Sequence, residues 1–341
     1  MLDSTAAHTI VDSDAVKIWV AIVAAISALV VAIVNHFSTR SNQLAIQALQ
    51  QIQKETDAKR DYEYEARKRL YHECGPILFQ IAELAEGAYF RIIGLAGTAR
   101  DGNLEPGPRS YFSRHDYYLL STLYRLLAPS AALKVLQRRL TVVDLSLDKG
   151  VQRGYIFLRQ VFLTWGDEFE FAKTQKNLTY TPFDEDARAK SKVEPARYWR
   201  QGLPLGVIES SIEALLVSDN AALRVMTYAE FEAEYYKEGS KVHEQFSGIT
   251  FLFKDFHPRT RPVLWRMLVT QACLYRSLYQ LGSLGRDNWS LTDIWFTGSD
   301  TKAFDWRSRM DKEIPEEEVS SPLEVAEKYL EQKLRPRLDR L

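Results

Sequence analysis

Ile18–Phe37 reads IWVAIVAAISALVVAIVNHF, and no charged residue lies between Lys17 and Arg40. A helix rises about 1.5 Å per residue, so about 20 residues cross a hydrocarbon core of about 30 Å. In water such a helix is stable only when wholly buried, and no second long apolar run lies beside it in sequence. The stretch therefore reads as a single N-terminal transmembrane helix with a large water-facing domain behind it.

The chain has 341 residues, enough beyond the apolar run for one large core or two modest ones. Aromatic residues make up 12% of it and lie mostly after residue 70, which marks a folded chain. The formal net charge of −1 points to no polyelectrolyte partner, so nucleic acid is not expected. Cys74 and Cys273 lie far apart, without a second Cys or a His at metal-ligand spacing, and read as buried thiols of a reducing compartment.

Asp3, Asp12 and Asp14 precede the apolar run, with Lys17 the one base among them; Arg40, Lys54, Lys59, Arg60, Arg67, Lys68 and Arg69 follow it. Lys and Arg set topology, so the expectation is an outside N-terminus and a cytoplasmic C-terminal domain. The acidic start, the long apolar core and the unsuitable Ile33-Val34-Asn35-His36 argue against a cleaved signal peptide. The sequons at Asn177 and Asn288 carry no weight in a cytoplasmic domain. Ala24, Ala28 and Ala32 recur every fourth residue, a spacing that lets helices approach closely in lipid. They are the expected self-association face, and a homo-oligomer and the lipid bilayer are the expected partners.

The expected fold is all-α. The divisions are 1–17, a short extracytoplasmic N-terminus; 18–37, the transmembrane helix; 38–74, a helical stalk; 75–312, a helical cytoplasmic domain with at most a small β element; and 313–341, an acidic linker with a C-terminal amphipathic helix. In the stalk, Ala45, Leu49, Ile52, Thr56 and Lys59 follow coiled-coil spacing for about two heptads. Gly75-Pro76 marks a break or kink. Pro129-Ser130 punctuates a helix that runs on to about Leu147. Capping boxes are expected at Ser113/Asp116, Thr227/Glu230 and Ser321/Glu324, the last with Pro322 at the first helical position. Ser290/Asp293 suggests one more capped turn. Ile249–Phe253 is the one strand-like run. Pro262 opens a helix apolar nearly all round, as suits the centre of a bundle, and Arg266 and Arg276 exclude it as a second span. Leu323, Ala326, Leu330 and Leu334 form one stripe on the C-terminal helix, which either docks on the domain or receives a protein partner.

No catalytic motif survives inspection. Gly94–Thr98 lacks the lysine and spacing of a P-loop. His72-Glu73 and His243-Glu244 lack the second histidine of a zinc helix. Arg114-His115-Asp116 reverses the kinase order. Asp184-Glu185-Asp186 offers oxygen ligands but reads as a solvated loop. Arg259 and Arg261 precede the Pro262 helix, where free N–H groups favour anions, and are weak anion-site candidates. Lys134, Arg138 and Arg139 form a basic face. No cofactor and no metal are expected.

The leading expectation is a non-enzymatic, membrane-tethered module that senses or scaffolds through protein contacts. A second is a membrane-acting effector that oligomerises through its anchor. A third is a hydrolase or transferase assembled from distant segments, with His257, Asp184 and Asp305 as its weak nominees.

Overall fold

The computed structural model describes residues 13–114, 116–139, 144–172, 201–219, 222–254, 256–281, 302–308 and 316–340. The chain divides into two compact units, Met1–Glu65 and Ala66–Leu341.

Helix α1 spans Ser13–Arg100. Its first part, in the N-terminal unit, is exposed nearly throughout. Ile18 is 60% exposed, Trp19 68% and Phe37 65%. The chain thus carries an N-terminal helix long and apolar enough to cross a membrane, with none of its most apolar window buried. Helix Asp116–Arg139 passes the same test of length and apolarity but is 83% buried across that window, so it is a core helix of the second unit.

Helix α1 continues through Gly75-Pro76, where the sequence suggests a break. Proline removes the hydrogen bond to the carbonyl of His72. His72 and Pro76 are both exposed, so this turn lies on the water-accessible side of the helix, where the loss costs least.

Among the described residues the second unit is all-α apart from one two-stranded antiparallel pair. It gathers the end of α1 with α2 (Tyr111–Arg114), α3 (Asp116–Arg139), α4 (Lys149–Thr164), α5 (Glu168–Ala172) and α6 (Leu205–Ala214). Strands β1 (Leu216–Asp219) and β2 (Ala222–Val225) pair antiparallel, with Leu216 opposite Val225. Then come α7 (Tyr228–Tyr235), α8 (Lys241–Lys254), α9 (Pro262–Leu281), α10 (Glu316–Lys333) and α11 (Arg335–Leu338). The core forms where α9 packs on α4, α5 and α10, and where α3 packs on α4, α6, α7 and α8. From α1 it takes Leu70, Cys74, Ile81, Ala85, Ala88 and Ile92 at helical spacing.

Several local expectations change. Ile249–Phe253 is the end of helix α8, not a strand. Val242, Phe246, Ile249 and Phe253 recur at helical spacing and are all buried, so packing overrides the β propensity of the run. The β element lies instead at Leu216–Val225. Helix α3 runs through Pro129 and ends at Arg139. Ser113 lies inside α2 rather than capping α3. Helix α10 starts at Glu316 and holds Pro322 in its interior, so Ser321 is not its start. Thr227 and Glu230 do form both bonds of a capping box, and Arg224 clamps Glu230 through two bonds of 2.8 and 2.7 Å.

Candidate functional site

The most exposed apolar surface is the face of α1 in the N-terminal unit. Val20, Val23, Ile26, Leu29 and Val31 are each more than half exposed. Ala24, Ala28 and Ala32 share this helix and are exposed with it. Further along, Leu49 and Ile52 are 65% and 60% exposed. Monomeric soluble proteins rarely leave such a continuous apolar surface uncovered, and a surface of this size marks contact with lipid or protein.

The apolar stripe of α10 is occupied from within the chain. Ala326, Leu330 and Leu334 are fully buried, and Leu323 packs at the edge of the same core. Of the two readings of this stripe, docking on the domain is the one observed. Tyr329 secures the dock: its ring stacks on Phe171 with centroids 4.5 Å apart, and its hydroxyl donates to Asp167 while accepting from Gln160 Nε2 at 2.8 Å. Burial pushes the Tyr329 phenol up, and the Asp167 carboxylate pushes it further.

The N-terminus of α9 is already filled. The backbone N–H groups of Val263 and Leu264 donate to Gln201 Oε1 at 2.9 and 3.0 Å, with Gln201 fully buried. Gly202 lets the chain beside Gln201 pass close to α5, because a Cβ there would lie 2.7 Å from Glu168 Cβ. Arg259 pairs with Glu105 Oε2 at 2.5 Å. The anion-site reading of Arg259 and Arg261 thus loses its free N–H groups to Gln201 and the Arg259 charge to Glu105.

His257 sits beside this turn, fully buried. Its Nδ1 accepts from the Arg259 backbone N–H at 3.1 Å, and its Nε2 lies 3.5 Å from Glu105 Oε1. The Nδ1 acceptor role places the ring proton on Nε2, toward the carboxylate. The Trp306 ring meets the imidazole edge-on at 5.5 Å. Asp305 therefore lies one residue from a His257 contact, yet its carboxylate holds Arg307, accepting the backbone N–H at 3.0 Å. Asp184, like Ser290 and Asp293, lies outside the described residues. The arrangement braces the Glu105 loop against the start of α9.

The basic face of α3 is paired as well. Lys134 bonds Glu209, Arg138 bonds Glu213 at 2.6 Å, and Arg139 bonds Glu73 at 3.0 Å. Among the described residues no group of three or more His, Cys, Asp and Glu is placed to hold a metal ion.

Sequence reasoning missed Arg91. It is 8% exposed, donates to Ser121 Oγ at 3.0 Å, and lies over the Tyr118 ring, 4.7 Å from its centroid. Burial lowers the proton affinity of its guanidinium, and the charge of Arg125 lowers it further. No motif flags it; its one sequence signal is a basic residue on the apolar stripe that includes Ala88, Ile92 and Leu95.

No family model, no curated protein and no solved structure matches this chain.

Proposed function

We propose that this chain is a membrane-tethered helical module that acts through protein contacts. The single observation that carries the reading is the Ile18–Phe37 face: its large apolar side chains are exposed, and none of that window is buried. Lipid covers such a face at no cost in unsatisfied backbone, since an α-helix satisfies its own hydrogen bonds. The second unit has a core of its own and binds its C-terminal helix, so it has the makings of a folded cargo behind an anchor.

In this reading the N-terminus is outside and the second unit is cytoplasmic, following the excess of Lys and Arg after the span. The polar groups nearest to a catalytic arrangement, His257 with Glu105 and Asp305 with Arg307, are spent on bracing, which favours contact over catalysis. The test is purification of the full chain from native membranes in mild detergent, with native mass and peptide identification. A protein companion, or a second copy, at fixed stoichiometry is expected. A monomer that carries a small molecule and turns it over would replace this reading with an enzymatic one. Topology is read by impermeant thiol labelling of Thr5→Cys against Leu341→Cys, with label expected only at the first.

A further inference from the structure

The face of α1 in the N-terminal unit follows one heptad register from the apolar run into the polar helix. Ala21, Ala28, Asn35, Asn42, Leu49 and Thr56 stand seven residues apart. The residues three further on, Ala24, Val31, Ser38, Ala45 and Ile52, complete an unbroken alternation of three and four. All belong to α1, and all are exposed. At about 1.5 Å per residue this seam is about 50 Å long. Lys17 and Lys59 occupy the same register at its two ends, where like charges on paired helices would meet, and so they bound it.

We propose that a second copy of this chain occupies the seam, parallel and in register. The proposal rests on the membrane-tether reading, which fixes both helices in the same direction across one bilayer. Leu49 and Ile52 lie beyond the lipid-length run and are as exposed as the anchor itself, so the water-side half of the seam needs a protein cover. Asparagine at the a position of a parallel coiled coil faces its own counterpart, and it sets register and favours two strands. Here that role falls to Asn35 and Asn42. Asn35 sits within the apolar run, where a paired amide is favoured over one left in hydrocarbon. The Thr39 hydroxyl and the Thr56 hydroxyl are already spent on the carbonyls of Asn35 and Ile52, at 2.7 and 2.8 Å. The Asn35 and Asn42 amides can then pair with their own copies along the seam.

Flanking charges agree with this arrangement. In a parallel pair each g position meets the partner's next e position, five residues on. Glu55 at g then meets the partner subunit's Arg60 at e, an attraction of opposite charges. Within the chain Glu55 accepts from Gln51 at 3.3 Å and Arg60 lies 3.3 Å from Asp57, both exposed contacts that exchange easily. Glu63, the next a residue, would face its own copy, so the pairing ends near Thr56.

Single cysteines introduced into the full chain in native membranes test the register. Cys74 and Cys273 are buried, so wild type is the silent control. Mild oxidation should give disulfide-linked dimers for Asn42→Cys and Leu49→Cys, and at least tenfold less for Gln47→Cys and Lys54→Cys on the opposite face. Asn42→Leu should shift native mass from two copies toward a mixture with three or more, because it removes an a-position amide that specifies the two-stranded state. Equal cross-linking on both faces, or an Asn42→Leu chain that remains a dimer, overturns the proposal. The membrane fraction of each sample separates the two readings. A membrane-bound chain without the a-face pattern refutes the seam alone, and a chain that never reaches the membrane refutes the tether and the seam together.

Discussion

Gln201→Leu is expected to destabilise the second unit by about 2–4 kcal/mol. The side-chain oxygen accepts two backbone N–H groups, from Val263 and Leu264, and the side chain is fully buried. Each buried donor left without an acceptor costs about 1–3 kcal/mol, and slight fraying of the first turn of α9 relieves part of that. Leucine keeps most of the volume, so the loss reports hydrogen bonding rather than a cavity. Gln201→Ala should cost still more, by the further penalty of an unfilled space. Urea unfolding in mild detergent, followed by fluorescence, is a suitable assay because Trp165 and Trp265 are each 1% exposed and Trp306 is 2% exposed. With a slope of about 3 kcal/mol per molar, the midpoint should fall by about 1 M urea. A Gln201→Leu midpoint equal to wild type would refute the argument that this oxygen closes the N-terminus of α9. Phosphate should not stabilise wild type, since the same N–H groups are taken.

The Arg224 guanidinium and Thr227 hold the Glu230 carboxyl down from 4.5 to about 2. A lowered carboxyl stabilises the folded state above its unfolded value, and that support is lost as pH falls through the folded value. Thermal melts of Glu230→Gln and wild type should therefore differ at pH 7 and converge as pH drops from about 4.5 toward about 2. Leu330→Ala should cost about 2–5 kcal/mol in the same urea assay, because Leu330 is fully buried where α10 meets the core; an unchanged midpoint would show that the C-terminal helix does not dock. Cys74 and Cys273 are both buried, and burial pushes both thiols up, so neither should react with maleimide in the folded chain while both react in denaturant.

The elements set by local periodicity are legible in the sequence. The long apolar helix through residues 18–37, the buried helix from Pro262 and the cap at Thr227/Glu230 all rest on patterns complete within one segment. The errors share a cause. Ile249–Phe253 has β-branched and aromatic residues in a row, and its helical stripe appears only when Val242 and Phe246 are read with it. Pro76 and Pro129 look like breaks and Pro322 like a helix start, yet a proline within a helix loses one bond and is tolerated where the rest of the turn is packed or solvated. The hairpin at Leu216–Val225 is too short to show alternation. The site-level misses are contacts between distant positions: Gln201 on Val263, Glu105 on His257 and Arg259, and Ser121 on Arg91 are each invisible to spacing along the chain.

The central proposal is that Ile18–Phe37 lies within a bilayer rather than in the core of its own chain. Sedimentation of the full-length chain at high speed tests it most directly, with an alkaline carbonate wash and a detergent wash of the pellet. The account predicts a chain that pellets, resists carbonate and is released only by detergent. A chain that stays in the supernatant without detergent contradicts it.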